Sequence, residues 1–112
     1  MSMACDELSD RIRSLLPSLQ LVEKKMFGGI AFMLAGNMLV CPTREGSLIV
    51  RVGKEGMADA LQRPGAAVME MGGRPMSGFV ELKGDAIEDD ETLAGWLDLA
   101  RSFVETLPAK QG

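Results

Sequence analysis

Apolar positions change their spacing several times along this chain, and each change predicts an element. Leu8, Ile12, Leu15 and Leu16 recur at i, i+4, i+7 and i+8, which predicts an amphipathic helix over residues 4–16, closed by Pro17. Asp6 and Glu7 lie early in it, where carboxylates suit the helix dipole. Over residues 25–34 the period shortens to two. Met26, Ile30, Phe32 and Leu34 fall on one side, and Phe27, Ala31 and Met33 on the other. That pattern predicts one strand, which turns at Ala35-Gly36-Asn37 into a second at residues 38–41. After a connection at 42–46, residues 47–52 predict a third strand, ended by Gly53. Residues 54–63 predict a short helix with Met57, Ala60 and Leu61 facing inward, stopped by Pro64-Gly65. A fourth strand over 67–71, a loop over 72–77 and a fifth strand over 78–83 follow. The last helix is the clearest element. Leu93, Trp96, Leu97, Ala100, Val104 and Leu107 form one stripe, Asp89, Asp90 and Glu91 crowd its start, and Pro108 closes it.

The order is helix, three strands, helix, two strands, helix. Short links between neighbouring strands favour antiparallel pairing. The expected fold is therefore α+β, two-layered, with helices against a mainly antiparallel five-stranded sheet. A chain of 112 residues fits one domain over 1–112, with an ordered core of about 4–108.

Composition narrows the function. Hydrophobic residues make up 46% of the chain and charged residues 25%, enough for a packed core. No apolar stretch is long enough for a membrane helix, and the N-terminus lacks a signal pattern, so the expected location is cytoplasmic, with no membrane partner. The net charge is −4. It is +2 over residues 23–80 and −5 from Glu81 onward, so direct nucleic-acid binding is the least favoured function. Histidine is absent. Cys5 and Cys41 are 36 positions apart and form no metal or redox motif, and no histidine stands ready to activate either thiol. Cys41 reads as a small buried apolar residue and Cys5 as an exposed thiol. Trp96 reads as a core anchor. The run Glu88-Asp89-Asp90-Glu91 suits a helix start and lacks the alternating ligands of a calcium loop. No cofactor and no metal are expected, and no catalytic group is singled out.

Two glycine-bearing segments carry the remaining signal. In Met26-Phe27-Gly28-Gly29 the glycines permit a bulge, a close backbone approach or a ligand cradle. In Gly72-Gly73-Arg74-Pro75-Met76-Ser77-Gly78 they permit sharp turning, while Arg74 offers a fork of donors. Arg74 and Met76 are candidates for a recognition tip, against the alternative that Arg74 ties to a carbonyl or acid with Met76 packed beneath. Arg51 interrupts an apolar strand, either to meet an anion or to face solvent or pair with an acid across the sheet. The methionines at 26, 33, 38, 57, 69, 71 and 76 suit core gaps and adaptable surfaces. Both faces of the first strand are apolar, so part of the second sheet face or an edge is expected to meet another protein, a second copy of this chain among the candidates.

Taken together, Met26-Phe27-Gly28-Gly29, Leu48-Ile49-Val50-Arg51-Val52-Gly53, Ala60-Leu61 with Pro64-Gly65, Gly73-Arg74-Pro75-Met76-Ser77-Gly78-Phe79-Val80, and Trp96 with Ala100 and Leu107-Pro108 resemble the N-terminal domain of the TfoX/Sxy family of bacterial competence regulators. The resemblance runs from about residue 8 to residue 110. It implies an α+β domain of this order and a role in regulating DNA-uptake genes. In the best-known members that role is co-activation with the cyclic-AMP receptor protein. Full-length regulators carry a second, C-terminal domain, so the chain is expected to be a stand-alone form. The positions matching the family motifs are Phe27, Gly28, Gly29, Arg51, Gly53, Arg74, Pro75, Met76 and Gly78. The expected function is a non-enzymatic protein-interaction domain linked to transcriptional regulation of competence, with a protein partner such as the transcription machinery. The rivals are a small-ligand or enzymatic domain using the glycine loops, and a direct DNA-binding module.

Overall fold

The structure, a computed structural model, describes residues 3–16, 21–26 and 29–108. Helix α1 (Met3–Leu15) precedes four strands, β1 (Leu21–Met26), β2 (Gly29–Leu34), β3 (Asn37–Pro42) and β4 (Leu48–Arg51). Helix α2 (Met57–Leu61) leads to the hairpin of β5 (Ala66–Met71) and β6 (Arg74–Leu82). A 3-10 turn at Gly84–Ile87 then feeds α3 (Asp90–Val104). The six strands form one sheet in the order β1-β2-β3-β4-β6-β5, and every neighbouring pair is antiparallel. The α+β class and the element order follow the sequence expectation, with one strand more.

The extra strand comes from the first glycine segment. The apolar alternation over 25–34 predicted a single strand, but Met26 pairs with Gly29, so two strands lie back to back and only Phe27 and Gly28 separate them. Those two residues lie outside the described ones. β1 escaped detection because Glu23, Lys24 and Lys25 break its apolar alternation. Gly29 itself meets close backbone. A Cβ there would collide with the Pro42 carbonyl oxygen.

Three other boundaries moved. The segment 72–77, expected as a loop, is mostly strand. Met71 pairs with Arg74 across Gly72 and Gly73, whose φ angles of 61° and 80° make a tight two-residue turn. Ala35 (φ 52°) and Gly36 (φ 81°) close the β2–β3 hairpin in the same manner. Helix α2 is shorter than expected, and Leu61, expected inward, is 37% exposed. Helix α3 stops at Val104, before Leu107, and Thr106 donates its hydroxyl to the Phe103 carbonyl at 2.6 Å just beyond it.

The main core lies between one sheet face and the three helices. Paired positions carry a continuous row of Phe32, Val40, Val50 and Val80 across four strands, each fully buried. Leu8 and Ile12 of α1, Ala60 of α2, and Leu93, Trp96, Leu97 and Ala100 of α3 pack over it. Burying each large side chain contributes about 1.5–3 kcal/mol. Trp96 is a core anchor, as its stripe predicts. A bulge in β3 turns Met38 to the opposite face, where it pairs with Met33.

That opposite face holds a smaller apolar cluster of Ala31, Met38, Cys41, Ile49 and Met69, with Met33, Met76 and Phe79 packed against it. All eight residues come from strands. Cys41 is buried there, as expected. Apolar side chains on this face therefore largely cover one another. Among the described residues, the exposed large apolar side chains are Val22, Leu61 and Val68.

Polar contacts fix the helices. Arg13 of α1 donates two hydrogen bonds to the Glu23 carboxylate on β1, at 2.6 and 2.8 Å, and holds that carboxyl below its ordinary pKa. Arg11 donates to Asp90 at 2.9 Å and to the Ile87 and Glu88 carbonyls, tying α1 to the entry of α3. Asp89 caps α3 by accepting from the Thr92 amide at 2.9 Å.

Candidate functional site at Arg51

The end of β4 brings a charge among aromatic rings. Arg51 pairs with Phe79 of β6, and its guanidinium carbon lies 5.6 Å from that ring's centroid. The same carbon lies 5.8 Å from the centroid of Phe103, near the end of α3. Arg51 is thus held between one ring from the sheet and one from the last helix. Each such contact is worth about 0.5–1 kcal/mol at a partly exposed site. The cross-strand partner is aromatic, where the sequence left open an anion, solvent or an acid across the sheet. Among the described residues Arg51 has no ion-pair partner, and a guanidinium has five donors to place.

Two glycines make this arrangement possible. Gly53 (φ +79°) lies beneath the Phe103 ring, and a Cβ there would overlap it. Gly78 (φ +91°) bulges β6 so that its carbonyl accepts from both the Val52 amide, at 2.8 Å, and the Gly53 amide, at 3.1 Å. The two backbones approach closely, and a Cβ on Gly78 would lie 3.5 Å from the Gly53 Cα. The ring of Phe103 can therefore descend over Arg51.

Around them runs a groove of about 650 Å³, lined by Arg51, Gly53, Lys54, Glu55, Gly56, Ser77, Gly78, Phe79, Phe103 and Thr106. Its chemistry is a guanidinium held by two rings, an exposed lysine, an exposed glutamate, two hydroxyls and two aromatic faces. Such a set suits a carboxylate attached to an apolar group. A larger groove of about 910 Å³ lies by Arg63 and Trp96, but three carboxylates line it, Asp85, Asp89 and Glu91, against one in the Arg51 groove, and Asp89 is engaged in the α3 cap.

The nine motif residues do not form a single site. Arg51, Gly53 and Gly78 meet at the groove. Arg74 and Pro75 are exposed at the far end of the β5–β6 hairpin, and Arg74 has no ion-pair partner among the described residues. Met76 is half-buried against the second apolar cluster. Gly29 serves the packing of β2 on Pro42. Phe27 and Gly28 lie outside the described residues. Sequence reasoning did not single out Phe79 and Phe103. The signal for Phe103 was its spacing of seven from Trp96, which returns it to the same helix face.

Among the described residues, no group of three or more His, Cys, Asp and Glu could hold a metal ion. No described helix is long and apolar enough to cross a membrane. Residues 15–104 match the family model of the TfoX N-terminal domain, a span that includes all nine motif positions and both rings. No curated protein matches the chain. With the match spanning every described strand and the whole of α3, the chain belongs to the TfoX N-terminal domain family.

Proposed function

We propose that this chain is a non-enzymatic protein-interaction domain of the cytoplasm, and that the groove at Arg51 receives an acidic, partly apolar segment of its partner. The observation that carries this reading is the Arg51 guanidinium, held between Phe79 and Phe103 with no ion-pair partner among the described residues. Arginine and aromatic side chains dominate the energetics of many protein contacts, and ordering a rotamer-rich side chain such as arginine costs binding free energy. Here two rings have already restricted the arginine. Family membership favours a partner in the regulation of competence genes, with the transcription machinery as the class to search first.

The test is a titration of the isotope-labelled protein with a short peptide of alternating glutamate and leucine residues. The expected result is amide shifts concentrated at Gly53, Gly56 and Gly78, saturating with the peptide. Shifts confined to the β5–β6 hairpin near Arg74 would contradict the placement. A second reading, a small-molecule carboxylate site, draws on the same groove volume. Saturation with acetate as tight as with the peptide would favour it.

A further inference from the structure

The two edges of the sheet are built differently. β1 carries three successive charges, Glu23, Lys24 and Lys25, the usual guard against edge-to-edge pairing. β5 at the other edge reads Ala-Ala-Val-Met-Glu-Met, with one charge, no lysine and no proline. Two of the three exposed large apolar side chains lie on or beside it, Val68 in the strand and Leu61 at the end of α2. The irregularity in its pairing sits on the inner strand: from Val68 to Glu70 is a step of two on β5, and from Val80 to Pro75 a step of five on β6. β5 thus stays regular, with one row of backbone donors and acceptors facing outward.

We propose that β5 pairs antiparallel with β5 of a second copy of this chain, joining two sheets into one. A two-fold axis through Val68 sets Val68 against Val68, Ala67 against Met69, and Ala66 against Glu70. No like charges meet. The axis stands perpendicular to the sheet, so both α2 helices lie on the same side and their Leu61 side chains flank the junction. The Ala66 amide donates to the Arg63 carbonyl at 3.3 Å, which holds Arg63 beside Ala66. Glu70 of one copy therefore arrives near Arg63 of the other, twice per dimer, where it would share a guanidinium that in its own copy lies 3.5 Å from the Asp59 carboxylate and over the Trp96 ring. Matching of register and charge about one axis is what a closed two-fold contact requires, and it favours a second copy over an unrelated strand. This contact is separate from the Arg51 groove.

The test is sedimentation equilibrium of the full chain at high micromolar concentration. The expected mass is twice the 12.0 kDa of one chain. Val68→Lys should weaken the dimer at least about tenfold, with an unchanged circular dichroism spectrum. Glu70→Arg and Arg63→Glu should each weaken it, and the double exchange should recover part of the loss. A monomeric wild type, or a dimer untouched by Val68→Lys, would overturn the proposal.

Discussion

Two arginines beside glycines behave in opposite ways in this molecule. Arg74 follows Gly72-Gly73 at a hairpin end, where a Cβ on either glycine would meet nothing within 4 Å. Arg51 sits by Gly53 and Gly78, where a Cβ on Gly53 would strike an aromatic ring. At the hairpin, glycine supplies a backbone angle only. At the groove it supplies an angle and the absence of a side chain, and the space so created is filled by Phe103. The difference teaches where a cation is preorganised. Arg74 must lose side-chain freedom on binding anything, and Arg51 has already lost part of it to Phe79 and Phe103.

The largest expected effect breaks the groove. Gly53→Ala forces a Cβ into the Phe103 ring at a positive φ, and should cost about 2–4 kcal/mol by chemical denaturation. Gly72→Ala meets only the strain of a positive φ and should cost about 1–2 kcal/mol. Equal losses at the two positions would remove the distinction between them. Phe103→Leu is the sharper tool. It should leave α3 formed, as read by far-ultraviolet circular dichroism, and loosen Arg51, with weaker binding of the acidic peptide.

The smallest effect concerns acid. The Arg13 guanidinium holds the Glu23 carboxyl below its ordinary pKa, chiefly through their hydrogen bonds. The stability this gives is fully present above the ordinary carboxylate pKa, and is lost as pH falls through the depressed value. Thermal melts of Glu23→Gln should therefore match wild type most closely at low pH and fall furthest below it near neutrality. A constant gap at all pH values would show that the pair contributes nothing through ionisation.

Much of the fold was legible because periodicity survives wherever one face of an element is buried. The stripe from Leu93 to Val104 and the row through Val50 are such cases. β1 was not legible, since an edge strand carries charges for reasons that oppose the alternation used to find it. The Gly72-Gly73 turn was mistaken for a longer loop. Two positive-φ glycines can close a hairpin in two residues, and Pro75 is tolerated near the tip. The site was legible one residue at a time. Arg51, Gly53 and Gly78 stood out, but the β6 bulge that joins them is a tertiary feature, and Phe103 arrives from a helix about fifty positions away.

The most direct test compares the two arginines on one ligand, by titrating the glutamate–leucine peptide into wild type, Arg51→Ala and Arg74→Ala by isothermal calorimetry at fixed ionic strength. The expected result is a Kd raised at least about tenfold by Arg51→Ala and less than about threefold by Arg74→Ala. Equal losses, or a larger loss at Arg74, would contradict a recognition site centred on Arg51.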